Sequence, residues 1–240
     1  MKLPALSAIY DRYESLNRVA RDRFSGTLAG KLLLRSGLDS EGLTAIVAAS
    51  IAGACSLCVE SEGERLREAL RAGLCDFVVG PLDEGLRILK NELRRGLPIS
   101  VGVAAEPDAT LAAMIDRGLQ PDLLSLPPGT PRRIFIERGA LALPEHAIPD
   151  SSAALIEWTL QTDAAKSMPW IARIAAQSLD ASRSDTAFRQ RWLERAPRHL
   201  GRAFATCLCL RMTPAESSAF VAAARAQFPA IRLTRDGEGL

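Results

Sequence analysis

Two glycines, five residues apart, follow a short apolar run near the start of the chain. The turn reads GLDSEG, with Gly37 and Gly42 at its ends, and a second apolar run further on ends in the acid Glu60. In dinucleotide-binding proteins, a glycine-rich turn between a strand and a helix lets the backbone approach a pyrophosphate, and an acid about 20 residues further on binds a ribose hydroxyl. Gly37, Gly42 and Glu60 are therefore candidate cofactor-binding residues.

The turn departs from the G-x-G-x-x-G fingerprint, because Asp39 stands where the second glycine belongs. Asp39 and Glu41 also bring negative charge to a helix N-terminus, which would otherwise attract phosphate. A carboxylate about 4 Å from a phosphate costs on the order of 4 kcal/mol at an effective dielectric of about 20. The attraction between the helix N-terminus and the phosphate contributes only about 0.3 to 2 kcal/mol. We therefore expect repulsion, unless Asp39 turns away or a cation lies between the two charges.

The same residues also have a structural interpretation that needs no ligand. Asp39 or Ser40 is a good helix N-cap, Glu41 favours the helix dipole, and Gly37 allows a tight turn. A protein that keeps the fold and loses the ligand would carry such a loop. Both interpretations stay open at this point, and Asp39 and Ser40 join the candidate cofactor-binding residues.

Short apolar runs alternate with amphipathic segments on both sides of this loop. The apolar runs predict strands at 31–36, 54–59, 76–79, 99–103 and 123–126. The amphipathic segments predict helices at 41–52, 62–72, 82–94 and 108–117. A parallel sheet covered on both faces has this pattern. We therefore predict an α/β fold with a Rossmann-like, doubly wound parallel sheet and a helical and βαβ C-terminal extension.

Three regions follow from these elements. Residues 1–30 are expected to form an N-terminal helical lead-in, and residues 31–149 the Rossmann-like domain. The end of that domain is rich in proline and is predicted to be a surface connection with a short strand at 134–137. Residues 150–240 are expected to form the helical and βαβ extension, packed on the same sheet. This extension either adds a βαβ piece to that sheet or forms a small cap.

Within the extension, the apolar periodicity predicts these elements: helices at 151–162, 163–179 and 185–194, strands at 203–211 and 231–233, and a helix that begins after Thr213 and Pro214. Pro169 suits the first turn of a helix better than its interior, so we expect the helix pair to break just before it. Trp170, which follows it, is expected to pack in the core.

The composition is that of an ordinary globular protein. Of the 240 residues, 48% are hydrophobic and 24% charged, with a formal net charge of +2. No Lys/Arg run is interleaved with aromatics, so we expect no nucleic-acid partner. The chain shows no apolar stretch of membrane length and no secretion signal, so we expect a cytoplasmic protein without membrane association. A protein partner or a homo-oligomer is left open.

The five cysteines are an odd number, which points to reduced thiols. Cys55 and Cys58 spell C-x-x-C but lie in a predicted strand, where they point to opposite faces, so they are predicted to be core thiols. A zinc site shared with Cys207 and Cys209 would need an accident of folding, and neither histidine stands at metal-ligand spacing. We expect no metal.

Four stretches of the chain, taken in order, are similar to one known domain. They read YESLNRVARDRFSGTLAGK (13–31), AASIAGACSLCVESEGERL (48–66), LPISVGV (97–103) and RGLQPDLLS (117–125). Together they resemble the domain that is inserted in urocanase, the enzyme that hydrates urocanate with tightly bound NAD as an electrophile. The resemblance covers roughly residues 8–126. It implies a Rossmann-like fold with NAD as the cofactor.

The resemblance also shows where the cofactor loops differ. The family loop reads G-L-G-G-M-G-G-A-Q, which matches the chain at Gly37, Leu38 and Gly42 and fails at 39–41 and 43. Glu60 corresponds to the family acid. The two later loops, at 105–109 and 125–132, lack the family's G-N-A-A-E and T-D-Q-T-S-A-H-D segments, and nothing in the chain resembles the catalytic core that handles the imidazole substrate.

We therefore expect a stand-alone urocanase-like Rossmann domain protein without the catalytic core. Such a protein would be non-catalytic, with a degraded NAD-binding loop and an interaction or structural role. Two alternatives stay open. One is a module that binds NAD or another nucleotide through Gly37, Gly42 and Glu60, and the other is a hydratase subunit completed by a separate urocanase-like core. By itself the chain is not expected to be a urocanate hydratase.

Overall fold

The chain divides into two compact units, Met1–Ala147 and Ile148–Leu240. The structure is a computed structural model, and it describes residues 3–144, 153–161 and 164–240. The first unit is an α/β unit with a parallel sheet, and the second combines helices with an antiparallel sheet.

The first unit alternates helices with parallel strands. Its strands are β1 (Leu32–Ser36), β2 (Cys55–Glu60), β3 (Phe77–Val79), β4 (Ser100–Ala104), β5 (Leu123–Ser125) and β6 (Leu141–Ala142). Its helices are α1 (Leu6–Arg23), α2 (Ser40–Ala52), α3 (Gly63–Ala72), α4 (Leu82–Arg95), α5 (Pro107–Asp116) and α6 (Arg132–Glu137). The strand order is β3-β4-β2-β1-β5-β6. The predicted Rossmann-like α/β fold is confirmed, and β1 to β5 lie where the apolar runs placed them.

Both faces of this sheet are buried, as near-continuous apolar strands require. On one face, Leu34, Leu57 and Val101 belong to a cluster that includes Leu89 of α4 and Phe135 of α6. On the opposite face, β4 carries a glycine because a Cβ atom there would collide with a leucine side chain of α3. Helix α1 packs against α2. All five residues of β1, the strand that leads into the loop, are therefore buried.

The second unit has a sheet of its own. Its elements are β7 (Ala154–Thr159), α7 (Ala164–Gln177), α8 (Thr186–His199), a 3-10 turn (Arg202–Phe204), β8 (Cys207–Met212), α9 (Pro214–Gln227), β9 (Arg232–Arg235) and β10 (Glu238–Gly239). The order is β10-β9-β7-β8, and β7 is antiparallel to both of its neighbours. Strands β8 and β9 are therefore parallel to each other, and β8-α9-β9 is a βαβ piece with β7 inserted. Among the described residues it does not extend the first sheet, so the predicted addition to that sheet is wrong.

Two predicted elements have the wrong type. The predicted strand at 134–137 is part of helix α6, because one turn of helix buries Phe135 completely while Ile134 and Ile136 stay exposed. The predicted helix at 151–162 is strand β7 over its described part, because Ile156 and Trp158, two residues apart, share a buried face. Residues 151, 152 and 162 lie outside the described residues, as do residues 145–149 of the proline-rich connection predicted at 127–149.

Pro169 and Trp170 also differ from expectation. Pro169 lies inside α7 and not in its first turn, and Trp170 is 58% exposed instead of packed in the core. The helix continues through the proline because Ile171, Ile174 and Ala175 on its other side are buried. Their burial offsets the hydrogen bond that an interior proline removes.

Side chains of α8 cover the outer edge of β8. Trp192 donates from Nε1 to the carbonyl oxygen of Cys209 at 2.7 Å, and Arg189 donates from Nη1 to that of Arg211 at 3.5 Å. An edge strand otherwise presents unpaired backbone groups. These two hydrogen bonds therefore give backbone carbonyl oxygens on the outer edge of β8 a partner.

A buried ion pair joins α8 to the start of α9. Arg189 donates from Nη1 to Glu216 Oε2 at 2.8 Å, and both side chains are at most 4% exposed. Glu216 also accepts from the backbone N–H groups of Asp180 and Thr213, each at 2.8 Å. Burial raises the pKa of Glu216, but the hydrogen bonds from Arg189, Asp180 and Thr213 outweigh it, so the pKa lies below its ordinary value.

Replacing Glu216 by glutamine should lower the free energy of unfolding of the second unit by about 3 kcal/mol, because it removes the buried counter-ion of Arg189 and leaves only the partly exposed Asp185 at 3.1 Å. All three tryptophans lie in this unit, so tryptophan fluorescence during urea unfolding reports on it alone. The exposed Glu194 on α8 offers a matched control, and Glu194→Gln should change stability by less than about 0.5 kcal/mol. Equal effects of the two substitutions would contradict this role of the ion pair.

The Arg189–Glu216 ion pair makes the stability of the second unit depend on pH. A carboxylate with a lowered folded pKa stabilises the fold above its unfolded pKa, and this contribution is lost as the pH falls through the folded value. The stability gap between the wild type and Glu216→Gln should therefore shrink as the pH falls below about 4. A gap that stays constant down to acid unfolding would show that the Glu216 charge contributes nothing.

Candidate functional site

The candidate site lies at the carboxyl ends of β1 and β5. These neighbouring strands continue in opposite directions across the sheet, β1 towards β2 and β5 towards β6. In open α/β sheets, ligands bind in the crevice outside the carboxyl ends of the strands at such a switch point. Gly37 to Ser40 follow β1 directly, and Glu60 is the last residue of the adjacent β2. The structure therefore brings the predicted site residues together at one crevice.

The backbone conformation and packing of the loop require glycine at positions 37 and 42. Gly37 has a φ of +82°, a backbone conformation that other residues rarely adopt. A Cβ atom on Gly42 would collide with the carbonyl oxygen of Gly37 and lie 3.0 Å from Nε of Arg35. Both positions thus demand glycine whether or not a ligand binds.

Asp39 is the N-cap of α2. Its side chain accepts a hydrogen bond from the backbone N–H of Gly42 at 2.7 Å, which is the capping interaction expected of an aspartate at this position. Ser40 is the first residue of the helix, and its carbonyl oxygen accepts from Oγ1 of Thr44 at 2.8 Å. Of the two N-cap candidates, Asp39 takes that role.

Arg35, in β1, is the residue that the sequence analysis missed. Its side chain is 8% exposed, and it donates from Nη2 to Asp39 Oδ1 at 2.7 Å and from Nε to the carbonyl oxygen of Gly37 at 2.9 Å. It also donates from Nη1 to the carbonyl oxygen of Ser125 in β5 at 3.1 Å. The guanidinium therefore spans the switch point from one strand to the other. The only signal in the sequence is a single charge in the otherwise apolar run LLLRS.

Glu60 is buried and faces the loop. One carboxylate oxygen, Oε2, accepts from the backbone N–H of Leu38 at 2.7 Å, and Oε1 accepts from that of Glu62 at 2.9 Å. Arg65 adds an ion pair at 3.6 Å, and the Glu60 side chain is 4% exposed. Glu60, the acid expected to bind a ribose, thus accepts hydrogen bonds from the protein's own backbone.

A comparison with protein families identifies the domain that carries this loop. Residues 9–126 match the family model described as the urocanase Rossmann-like domain. This segment is a urocanase Rossmann-like domain. The match begins within α1 and ends directly after β5, so it contains the whole candidate site, while the second unit lies outside it. The predicted resemblance over residues 8–126 is confirmed.

Glu41, the second acidic residue at the start of α2, forms an ion pair with an arginine of α1. Nη2 of Arg12, on α1, lies 3.6 Å from Glu41 Oε2, and its Nη1 donates to the carbonyl oxygen of Pro144 at 2.6 Å. Burial lowers the pKa of Arg12, and the charge of Glu41 opposes part of that effect. Each of the two acids, Asp39 and Glu41, is therefore neutralised from within the domain.

The thiols of the domain are core residues. Cys55, Cys58 and Cys75 are buried, and burial raises the pKa of Cys55 and of Cys75 to about 11. Within the described ranges, no group of three His, Cys, Asp or Glu residues is arranged to hold a metal ion. In the same ranges, no helix combines the length and hydropathy needed to span a bilayer.

A urocanase Rossmann-like domain implies NAD, so the loop can be tested for its fit to a dinucleotide. A Rossmann site offers backbone N–H groups at the helix N-terminus to the pyrophosphate. Here the N–H of Gly42 is bonded to Asp39 and that of Leu38 to Glu60. Two of the N–H groups at this position are therefore already bonded within the protein.

Replacing Asp39 by alanine should destabilise the start of α2 by about 0.5 to 2 kcal/mol, because the cap is lost and Arg35 loses its carboxylate. Hydrogen exchange of the α2 amides should accelerate accordingly. Asp108 is an exposed acid in the first turn of α5 that does not cap its helix, so Asp108→Ala should leave exchange in α5 nearly unchanged. Equal effects of the two substitutions would refute the capping role.

Gly42→Ala should lower the stability of the first unit by about 1 to 3 kcal/mol, because the added methyl group meets backbone that cannot move aside. Gly63, at the start of α3, has its nearest neighbouring atom 3.5 Å from an added Cβ, and Gly63→Ala should be neutral or stabilising by up to about 1 kcal/mol. Urea unfolding followed by hydrogen exchange measures both. A neutral Gly42→Ala would show that the loop is not closely packed.

Proposed function

We propose that this chain is a non-catalytic protein with an interaction or structural role, built on a urocanase Rossmann-like domain whose NAD-binding loop is degraded. The observation that carries the proposal is the position of Arg35 across the switch point, bonded to Gly37, Asp39 and Ser125. A dinucleotide would have to enter a crevice that the protein's own side chains already bridge.

A pyrophosphate in the crevice would have to displace contacts that the loop already makes. Asp39 would have to release Gly42 and turn away, which costs the cap interaction of about 0.5 to 2 kcal/mol. Arg35, almost fully buried, would lose its carboxylate unless the phosphate took its place. Since the two acids at the start of α2 already have arginine partners, a phosphate gains little from this helix terminus.

Glu60 supports the same conclusion at the ribose end of the crevice. Both of its oxygens accept from backbone N–H groups at the ends of adjacent loops. A ribose hydroxyl that displaced either N–H from this carboxylate would leave a buried backbone donor without a partner. An unsatisfied buried backbone donor costs about 1 to 3 kcal/mol.

The alternative function is binding of NAD or another nucleotide, and one observation favours it. Arg35 is a guanidinium at the crevice, and arginine binds phosphate well, while the Asp39 side chain is 62% exposed and free to turn outward. An anionic ligand that displaced Asp39 would then find both Arg35 and the N–H of Gly42. A separate urocanase-like core would complete such a module as a hydratase subunit.

Titration with NAD, NADH and NADP separates the two functions. We expect no saturable change at millimolar ligand in the hydrogen exchange of residues 35–42 or in the melting of the first unit. A ligand at one hundred times its dissociation constant would stabilise that unit by about 2.7 kcal/mol, which is easily detected. A saturable response of the wild type would overturn the proposal.

A matched variant tests whether the side chains at positions 39 and 40 prevent NAD binding. Asp39→Gly combined with Ser40→Gly removes the carboxylate and restores the family's glycines, leaving Arg35 without its partner. Weak binding of NAD to this variant alone would identify the Asp39–Ser40 pair as the block, whereas binding to both proteins would contradict it. Incubation of the chain with urocanate and NAD should leave the ultraviolet band of urocanate unchanged.

A further inference from the structure

A cleft of about 840 Å³ opens in the second unit between α7, α8 and the start of β8. Ligand pockets for small molecules commonly enclose about 300 to 1,000 Å³ and are mostly apolar. The apolar part of this cleft includes Met168, Leu193, Leu200, Phe204 and Leu208. Its size and lining therefore fit a small ligand with an apolar body.

Two interior prolines line the same cleft, Pro169 from α7 and Pro197 from α8. A proline inside a helix has no N–H, so each removes one helical hydrogen bond. For Pro197 the carbonyl that loses its helical donor belongs to Leu193, which also lines the cleft.

The rim of the cleft carries excess positive charge. Arg173 of α7 and Arg198 of α8 line it together with one carboxylate, Glu194, and the amide Gln190. Among the residues that the structure describes, neither arginine forms an ion pair within the second unit. The guanidinium of Arg173 lies 5.8 Å from the ring centroid of the exposed Trp170. The rim thus offers two guanidiniums to an anion.

We propose that this cleft binds a small amphipathic carboxylate. The apolar body of the ligand lies on Leu193, Phe204 and Leu208, and its carboxylate lies at the rim with Arg173 and Arg198. This ligand site is separate from the crevice of the first unit and does not depend on whether NAD binds there.

Cys207 provides a direct reporter of occupancy. It lines the cleft and is half-buried, whereas the other four cysteines are buried. Burial and then the charge of Glu157 raise the pKa of Cys207 to about 11. Alkylation by N-ethylmaleimide is therefore slow but selective, and it is measured at about pH 8.5, where some thiolate forms. Cys207→Ser supplies the blank.

Decanoate, kept below its micelle-forming concentration, should slow the alkylation of Cys207 in the full chain with a saturable dependence. Decanol has the same apolar body without the charge and should need a concentration about tenfold higher for the same protection. No protection by decanoate, or equal protection by the two probes, would overturn the proposal. Slower alkylation at higher protein concentration without a probe would indicate a second copy of the chain in the cleft, which also overturns it.

The rim is tested with a charge-matched pair of variants. Arg173→Gln combined with Arg198→Gln should raise the decanoate concentration for half-protection about tenfold. Lys166→Gln combined with Arg195→Gln removes the same charge from the same two helices outside the cleft and should leave it unchanged. Each protection is referred to the variant's own rate without decanoate, and tryptophan fluorescence verifies folding. Equal shifts in the two pairs would refute binding at this rim.

Discussion

The loop after the first strand depends on a buried cation, Arg35, at the carboxyl end of β1. Arg35 cannot lie in a parallel sheet without partners, because an unpaired buried charge is far more costly than a hydrogen-bonded pair. Two backbone carbonyl oxygens and the carboxylate of Asp39 supply them. Asp39 therefore acts both as the cap of α2 and as the counter-ion of Arg35. Asp39, which would repel a phosphate, therefore stabilises the loop through Arg35 and the N–H of Gly42.

This interaction changes the meaning of the remaining fingerprint residues. Gly37 and Gly42 are needed for the backbone of the loop, and Glu60 ties that loop to β2 through the N–H of Leu38. The N–H groups of Leu38 and Gly42 are thus bonded to acids of the same domain. A family domain can in this way keep its architecture while its crevice becomes part of its own structure.

The second unit uses the same principle with different elements, since Arg189 and Glu216 form a buried pair that joins two helices beside an edge strand. Here sequence prediction was less successful. The strand at 154–159 and the helix at 132–137 were assigned the wrong type because short apolar segments carry no decisive periodicity. Burial of Trp158 in a sheet and of Phe135 under a helix decided between the alternatives, and both are tertiary effects.

The sequence alone determined the alternation of strands and helices up to residue 126 and the candidate loop, because these depend on local periodicity and on turn residues that are near one another. The family of that domain followed from the resemblance of four stretches to a known domain. Only the tertiary structure decided what the loop does. The partners of Arg35 include Ser125, a residue 90 positions away, and no local pattern indicates that the two strands lie side by side. The cleft of the second unit arises in the same way, from the packing of helices whose facing residues are distant along the chain.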